Sequence, residues 1–272
     1  MRAWCNGSLV DPATPAITVL DHGFTVGDGV FEAIKVVDNV PFALTRHLDR
    51  LATSAAGLGL PSPDQPLVRK AVDDVLDGQS LTLGRIRMTY TAGISPLGSG
   101  RSSTEPTLVV VVTEATPYPT TTKAVVVPWP RNERGALAGL KTTSYAENVI
   151  ALAYAEARDA SEALFANTLG NLCEGTGTNV FCVFGDAVVT PPLSAGCLSG
   201  VTRNLVVEWC GVEERDISLD ELALADEVFL TSTTRDVQGV AALDDRVLPA
   251  DRPVTERVAA TWREREPQDA DP

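Results

Sequence analysis

Lys141 stands three residues before Ser144-Tyr145-Ala146-Glu147, a Ser-x-x-Glu pattern that marks a helix start. Backbone N–H groups at a helix start create positive potential. That potential lowers the proton affinity of an ammonium group and favours an amine that can act as nucleophile and general base. Glu174 lies in Leu172-Cys173-Glu174-Gly175-Thr176-Gly177-Thr178-Asn179-Val180-Phe181, a small, polar stretch that leads into an apolar strand. A carboxylate there can face a pocket, and the flanking glycines let a planar ligand approach the backbone.

Two further stretches favour anions. Gly196-Cys197-Leu198-Ser199-Gly200-Val201-Thr202-Arg203-Asn204 runs from a glycine-containing loop into a helix. Its free N–H groups and the Thr202 hydroxyl suit a phosphate. It lacks the Gly-Lys-Ser/Thr of a nucleotide-binding P-loop. In His47-Leu48-Asp49-Arg50-Leu51, the two leucines face the core and Arg50 offers a bidentate contact to a phosphate. Gly27-Asp28-Gly29 lacks the third glycine of a dinucleotide fingerprint and leads into a strand, so that use is disfavoured. Taken singly, each residue has a plainer reading: a loop lysine, a turn glutamate, an ordinary helix cap, a surface arginine. Together they supply the amine, carboxylate, anion site and arginine that a pyridoxal 5'-phosphate (PLP) enzyme requires.

The elements that must position these groups follow from periodicity. Val30 to Val37 and Val40 to Leu44 read as strands around an Asp38-Asn39 turn. Leu48, Leu51, Ala52, Ala55 and Leu58 fall at helical spacing, with Thr45 as cap and Gly59 near the stop. Leu67 to Leu76 predicts a second helix, and residues 85–91 and 107–113 predict strands. The Gly- and Ser-rich stretch 92–106 reads as a mobile loop. Beyond it, residues 125–127, 165–169 and 228–231 read as strands, and 202–210 as a helix. Residues 179–190 read as a hairpin turning at Gly185-Asp186. The tail 264–272 is polar and expected to fray. Strands and helices mix without strict βαβ alternation, which predicts an α+β fold in two domains. The expected division is a small N-terminal domain over 1–117, a linker over 118–123 and a larger C-terminal domain over 124–272.

Composition narrows the function classes. A net charge of -14 argues against a general nucleic-acid binder. Apolar runs stay strand-length, well short of the roughly 20 residues of a membrane span. The first residues lack an apolar signal region, so a cytoplasmic protein is expected. Five cysteines without a Cys-x-x-Cys pair predict reduced thiols, and two histidines supply no metal cluster.

With these motifs in order, the chain resembles the class-IV (fold-type IV) PLP enzymes from about residue 4 to 245. That family includes branched-chain aminotransferases, D-amino-acid aminotransferases and 4-amino-4-deoxychorismate lyases. The resemblance rests on Asp21-His22-Gly23-Phe24-Thr25-Val26-Gly27-Asp28-Gly29-Val30-Phe31-Glu32, His47-Leu48-Asp49-Arg50-Leu51, Lys141 with its helix, Glu174 to Phe181, and Gly200-Val201-Thr202-Arg203. It implies a small N-terminal α/β domain, a larger C-terminal pseudo-barrel domain and a homodimer. It implies that Lys141 forms the Schiff base with PLP and shuttles the proton during transfer of an amino group between an amino acid and a 2-keto acid. Glu174 then pairs with the pyridine nitrogen. Arg50, Gly200, the Val201 and Thr202 backbone and Thr233 hold the phosphate, and Tyr145 lies near the ring hydroxyl.

Subfamily signals are thinner. The tyrosine that D-specific relatives use is Phe31 here, and their Arg-x-His is missing from the loop after the third strand. Arg87 stands where branched-chain enzymes carry a substrate-side arginine, and Glu32 is compatible with them. The glycine-rich loop ending in Arg101 is similar to that of the lyases. Phe31, Arg87 and Arg101 are therefore the candidate substrate contacts. An aminotransferase is the first reading and a lyase yielding 4-aminobenzoate and pyruvate the alternative. A non-catalytic PLP-binding protein is disfavoured, because binding alone requires neither Lys141 nor Glu174.

Overall fold

The computed structural model describes residues 1–102 and 105–272. The loop expected over 92–106 thus falls partly outside the described residues. The chain folds as two compact units. The first comprises Met1–Pro117, Leu140–Tyr145 and Ala270–Pro272; the second comprises Tyr118–Gly139 and Ala146–Asp269. Lys141 belongs to the first, although it follows the segment that opens the second.

In the first unit, β1 (Arg2–Cys5), β2 (Ser8–Val10), β3 (Gly29–Val37), β4 (Val40–Pro41), β5 (Leu83–Thr91) and β6 (Thr107–Glu114) form an antiparallel sheet. Its order is β2-β1-β6-β5-β3-β4. A short helix, α1 (His22–Thr25), precedes β3; α2 (Leu44–Gly57) and α3 (Gln65–Leu76) cover one face. Alternation along β3 puts Val30, Ile34 and Val36 into that core. They meet Leu44, Leu48, Leu51 and Ala55 of α2, spaced to share one helix face. Gly57 is tolerated near the end of α2 because a Cβ there would come within 2.6 Å of the Leu140 side chain.

Two sequence expectations change here. The strand expected to run to Leu44 stops at Pro41, and Leu44 opens α2. Thr45 is not its cap; the cap residue is Ala43, without a side-chain hydrogen bond. The orphan N–H of Thr45 is instead satisfied at 2.7 Å by the Asp271 carboxylate, and the Ala43 N–H by the Ala270 carbonyl at 2.7 Å. The tail expected to fray is therefore fastened at its end, and its first two residues close the helix α7 (Pro253–Arg265).

The second unit contains β7 (Thr121–Val126), which opens inside the stretch read as a linker. It continues with α4 (Ala146–Glu156), β8 (Glu162–Ala166), β9 (Leu172–Gly175), β10 (Asn179–Phe184), β11 (Ala187–Thr190), α5 (Val201–Cys210), β12 (Glu213–Glu214), α6 (Leu219–Leu222), β13 (Glu227–Ser232), β14 (Asp236–Leu243) and β15 (Arg246–Val247). The mixed sheet runs β12-β11-β10-β13-β14-β7-β8-β9. A tight turn, Gly175 N–H to Thr178 carbonyl at 2.8 Å, carries β9 back to β10. The path thus returns on itself around a core that includes Leu164, Leu172, Val180, Val228, Leu230 and Val240, which is the pseudo-barrel. The Ser144 cap is a correction: α4 begins at Ala146, and the Ser144 hydroxyl donates to the Gly27 carbonyl at 3.0 Å.

The described part of the Gly/Ser loop is tied to α1. His22 presents Nδ1 to the Asp28 carboxylate at 2.9 Å and Nε2 to the Gly98 carbonyl at 2.8 Å. Both partners accept, so both nitrogens donate and the ring is an imidazolium. Arg101 bonds Asp28 through Nε at 2.6 Å and reaches the Leu58 and Gly59 carbonyls. The Asp28 hydrogen bond raises the His22 pKa against desolvation. Burial alone would raise Asp28, but hydrogen bonds from Arg101 and His22 hold it below the usual carboxylate range. The His22 contribution is complete below its unfolded value of about 6.5 and is lost as pH rises through the raised folded value. The Asp28 contribution is present above about pH 4 and is lost as pH falls through its lowered value. In Asp28→Asn the NMR titration midpoint of His22 is expected to fall, and trypsin cleavage after Arg101 to accelerate about tenfold. An unmoved midpoint would contradict the imidazolium assignment.

Candidate active site

In the first unit, the alternation of β3 places Phe31 on the face opposite its helix-covered core. Lys141 is pinned alongside. Its carbonyl accepts the Phe31 N–H at 2.9 Å, and its own N–H donates to the Ser54 hydroxyl of α2 at 3.1 Å. Thr142 bridges Val30, and the Thr143 N–H donates to the Gly29 carbonyl at 2.8 Å. This pairing directs the lysine side chain to the Phe31 ring, with Nζ 4.2 Å from the centroid. The guanidinium carbon of Arg87 lies 3.5 Å from the same centroid, and Tyr145 packs edge-on at 5.3 Å. Arg87 reaches the ring diagonally, because β5 pairs Thr89 with Phe31 and Arg87 with Ala33. One buried ring thus gathers an amine, a guanidinium and a phenol.

Arg50 belongs to a second cluster in the same unit, whose His47 feels the charge of Lys141 and whose Glu32 feels that of Arg87. Its Nε and terminal nitrogen bond the two oxygens of Glu32 at 2.8 and 2.7 Å. His47 Nδ1 meets Glu32 at 2.7 Å. Glu32 is wholly buried, and burial alone would raise its pKa. The charge and hydrogen bonds of Arg50, with His47, bring it down to about 2. Desolvation lowers His47, which donates as a neutral ring. Arg101 is engaged with Asp28 and two carbonyls.

In the second unit, Glu174 on β9 pairs with Phe165 of β8. The Leu198 N–H donates to one carboxylate oxygen at 2.9 Å, and Arg131 Nε lies 3.6 Å from the other. Two residues past Leu198, Gly200 caps α5 and supplies no side-chain acceptor for the first-turn N–H groups. A Cβ at Gly200 would come within 2.0 Å of Asn179 Oδ1, so the close approach requires glycine. Val201 and Thr202 are buried in the first turn. Thr233 is half-buried in the turn between β13 and β14. A helix start with orphan donors fits a phosphate, and a carboxylate held by a backbone N–H fits a protonated heterocycle. These residues therefore suit PLP.

Sequence reasoning missed Arg131, Asn148, Ser54 and the Glu32–His47 contact. The last was legible. Glu32 shares the parity of Val30 and Ile34, so it points into the core and needs buried partners from α2. Nothing in the pattern flags Ser54 or Arg131.

The amino-transferase class IV family matches residues 29–243. The branched-chain aminotransferase of Thermoproteus uzoniensis, solved with norvaline, is 30% identical with a TM-score of 0.89, covering 97% of this chain and 94% of that one. A D-alanine aminotransferase of Bacillus licheniformis is 28% identical over 93% of this chain and 92% of its own. An aminodeoxychorismate lyase of Bacillus subtilis is 28% identical over 86% and 84%. With the match spanning most of the chain and the fold shared, this protein belongs to the class IV aminotransferases, enzymes that depend on PLP.

Proposed function

We propose that Lys141 carries PLP as a Schiff base and moves the proton that accompanies amino-group transfer from an amino acid to a 2-keto acid. The observation that carries this is the Lys141 amine beside the Phe31 ring, with Arg87 on that same ring. Bound PLP supplies an electron sink for the substrate's α-carbon. Glu174 keeps the pyridine nitrogen protonated. Arg50, oriented by Glu32, holds the phosphate with Gly200, the Val201 and Thr202 N–H groups and Thr233. Tyr145 lies near the ring hydroxyl. Phe31 shapes the substrate pocket, and Arg87 takes the substrate carboxylate. Arg101 is the other candidate for that carboxylate; its bonds to Asp28 and two carbonyls favour Arg87 and assign Arg101 to holding its loop.

We further propose that the enzyme is a homodimer in the cytoplasm. Val19, Phe24 and Leu97 are 75%, 69% and 76% exposed, and their segments are joined by the Asp21–Ile94 bridge and the bond from the Ser95 N–H to the Leu20 carbonyl. Apolar surface of this kind favours pairing with a second copy, giving a homodimer. No helix among the described residues is long and apolar enough to cross a membrane, and we place the enzyme in the cytoplasm.

The protein loaded with PLP is expected to absorb near the visible edge, and borohydride to remove the band. Lys141→Ala is expected to lose the band while still binding the cofactor's phosphate. An unchanged band in that variant would remove Lys141 from the role. A panel of L-amino acids is expected to convert the bound cofactor to its amine form; pyruvate release from aminodeoxychorismate with no response to any amino acid would replace the transaminase by the lyase. Arg87→Leu is expected to raise KM for the amino acid about 10- to 100-fold, the scale of one charged hydrogen bond. An unaltered KM would eliminate Arg87 as the carboxylate contact. Light scattering is expected to find a dimer that Phe24→Glu weakens; a monomeric parent protein would overturn the homodimer.

A further inference from the structure

We propose that Arg131 is a positioning residue for Glu174, holding the carboxylate in place and setting how strongly it attracts a proton on the ring it faces. This rests on the reading of Glu174 as the partner of the pyridine nitrogen.

The second unit builds Arg131 into place from several directions. Its N–H donates to the Ala166 carbonyl at 2.7 Å, and it bridges Asn167, which seats it at the end of β8. Its guanidinium carbon lies 4.2 Å from the Phe165 centroid, and Phe165 is the residue paired with Glu174. One terminal nitrogen donates to Asn148 Oδ1 at 3.0 Å; the other lies 3.5 Å from Glu147. Asn148 is buried and donates onward to the Thr176 carbonyl, two residues after Glu174. The guanidinium, Asn148 and the 175–178 turn thus form one frame around the carboxylate.

Nε completes the frame. It lies 3.6 Å from Glu174, too long for a direct hydrogen bond, and it is buried without a hydrogen-bond partner among the described residues. A buried N–H in that state is costly unless a nearby charge stabilises it. The carboxylate is that charge. One Glu174 oxygen is anchored by Leu198 and the other lies in the field of a cation. A cation there stabilises the charged carboxylate and opposes transfer of the ring proton to it. Arg131 thereby keeps Glu174 an acceptor. It also competes with the pyridinium for the same negative charge, so its removal should raise the proton affinity of neighbouring groups.

The test is a spectrophotometric pH titration of the PLP-loaded protein, read in the visible band, for the parent enzyme, Arg131→Met and Arg131→Lys. Arg131→Met is expected to move the midpoint upward by about one unit and to loosen PLP, while Arg131→Lys stays within about 0.3 unit of the parent. A purely packing role would not restore the midpoint with lysine. A midpoint unmoved in folded Arg131→Met overturns the inference and leaves the Lys141 reading intact. A parent enzyme without a borohydride-sensitive band overturns both. If the methionine variant does not fold, Arg131→Gln is measured against the same criterion.

Discussion

A carboxylate buried in the core of the first unit constrains everything around it. Glu32 lies on the apolar side of β3, among Val30 and Ile34, where an unpaired charge would cost several kcal/mol. It is tolerable only with α2 seated so that His47 and Arg50 both reach it. Once α2 is fixed in that register, Ser54, one turn beyond Arg50, meets the Lys141 N–H. The same strand supplies the Phe31 N–H to the Lys141 carbonyl. The lysine is therefore located from both sides by elements that Glu32 locks together. A side chain on a connecting segment thereby gains the precision of a strand and a helix.

The second unit reaches comparable precision by other means. Glu174 lies on a strand that a four-residue turn returns to the next, and its orientation depends on a backbone donor from the loop before α5. Asn179, just past that turn, donates to the Leu198 carbonyl at 2.8 Å and crowds Gly200. Glu174 and the α5 start are thus positioned by the same few contacts. A carboxylate and a helix N-terminus have opposite electrostatic preferences, which is what the proposed function asks of the two ends of one charged ligand.

The sequence was most informative where periodicity carries the signal. The hairpin at Gly185-Asp186 and the apolar stripe of α2 could be read because alternation and helical spacing are local properties. The α2 cap could not be read, because its acceptor is Asp271, more than two hundred residues away. Nor could the fastening of the tail, whose polar composition resembles that of a frayed end while its backbone is hydrogen-bonded. The motifs around Lys141, Glu174 and Gly200 stand out in the sequence by residue type and spacing, and Arg50 as a cation. The bond that orients Arg50 required the parity of β3 to be followed through to Glu32. Arg131 gave no local sign, since its partners are Asn148, Phe165 and Glu174 on three separate elements.

The parity of β3 is also what divides labour in the first unit. Even-numbered residues from Val30 to Val36 face the core with Glu32 among them, while Phe31 and Lys35 face away. A slip of one residue would exchange the two sets, putting Phe31 against α2 and Glu32 on the opposite face. The turn into β4 opposes such a slip. Asp38 and Asn39 both adopt positive φ, 47° and 66°, the geometry of the tight hairpin turns that match strand twist. Asp38 and Asn39 also donate their N–H groups to the Thr82 and Leu81 carbonyls, which ties the turn to the start of β5. Nine residue pairs then align β3 with β5 and bring Arg87 diagonally to Phe31. The placement of Arg87 on the Phe31 ring therefore depends on a two-residue turn at the far end of the strand as much as on the residues beside that ring.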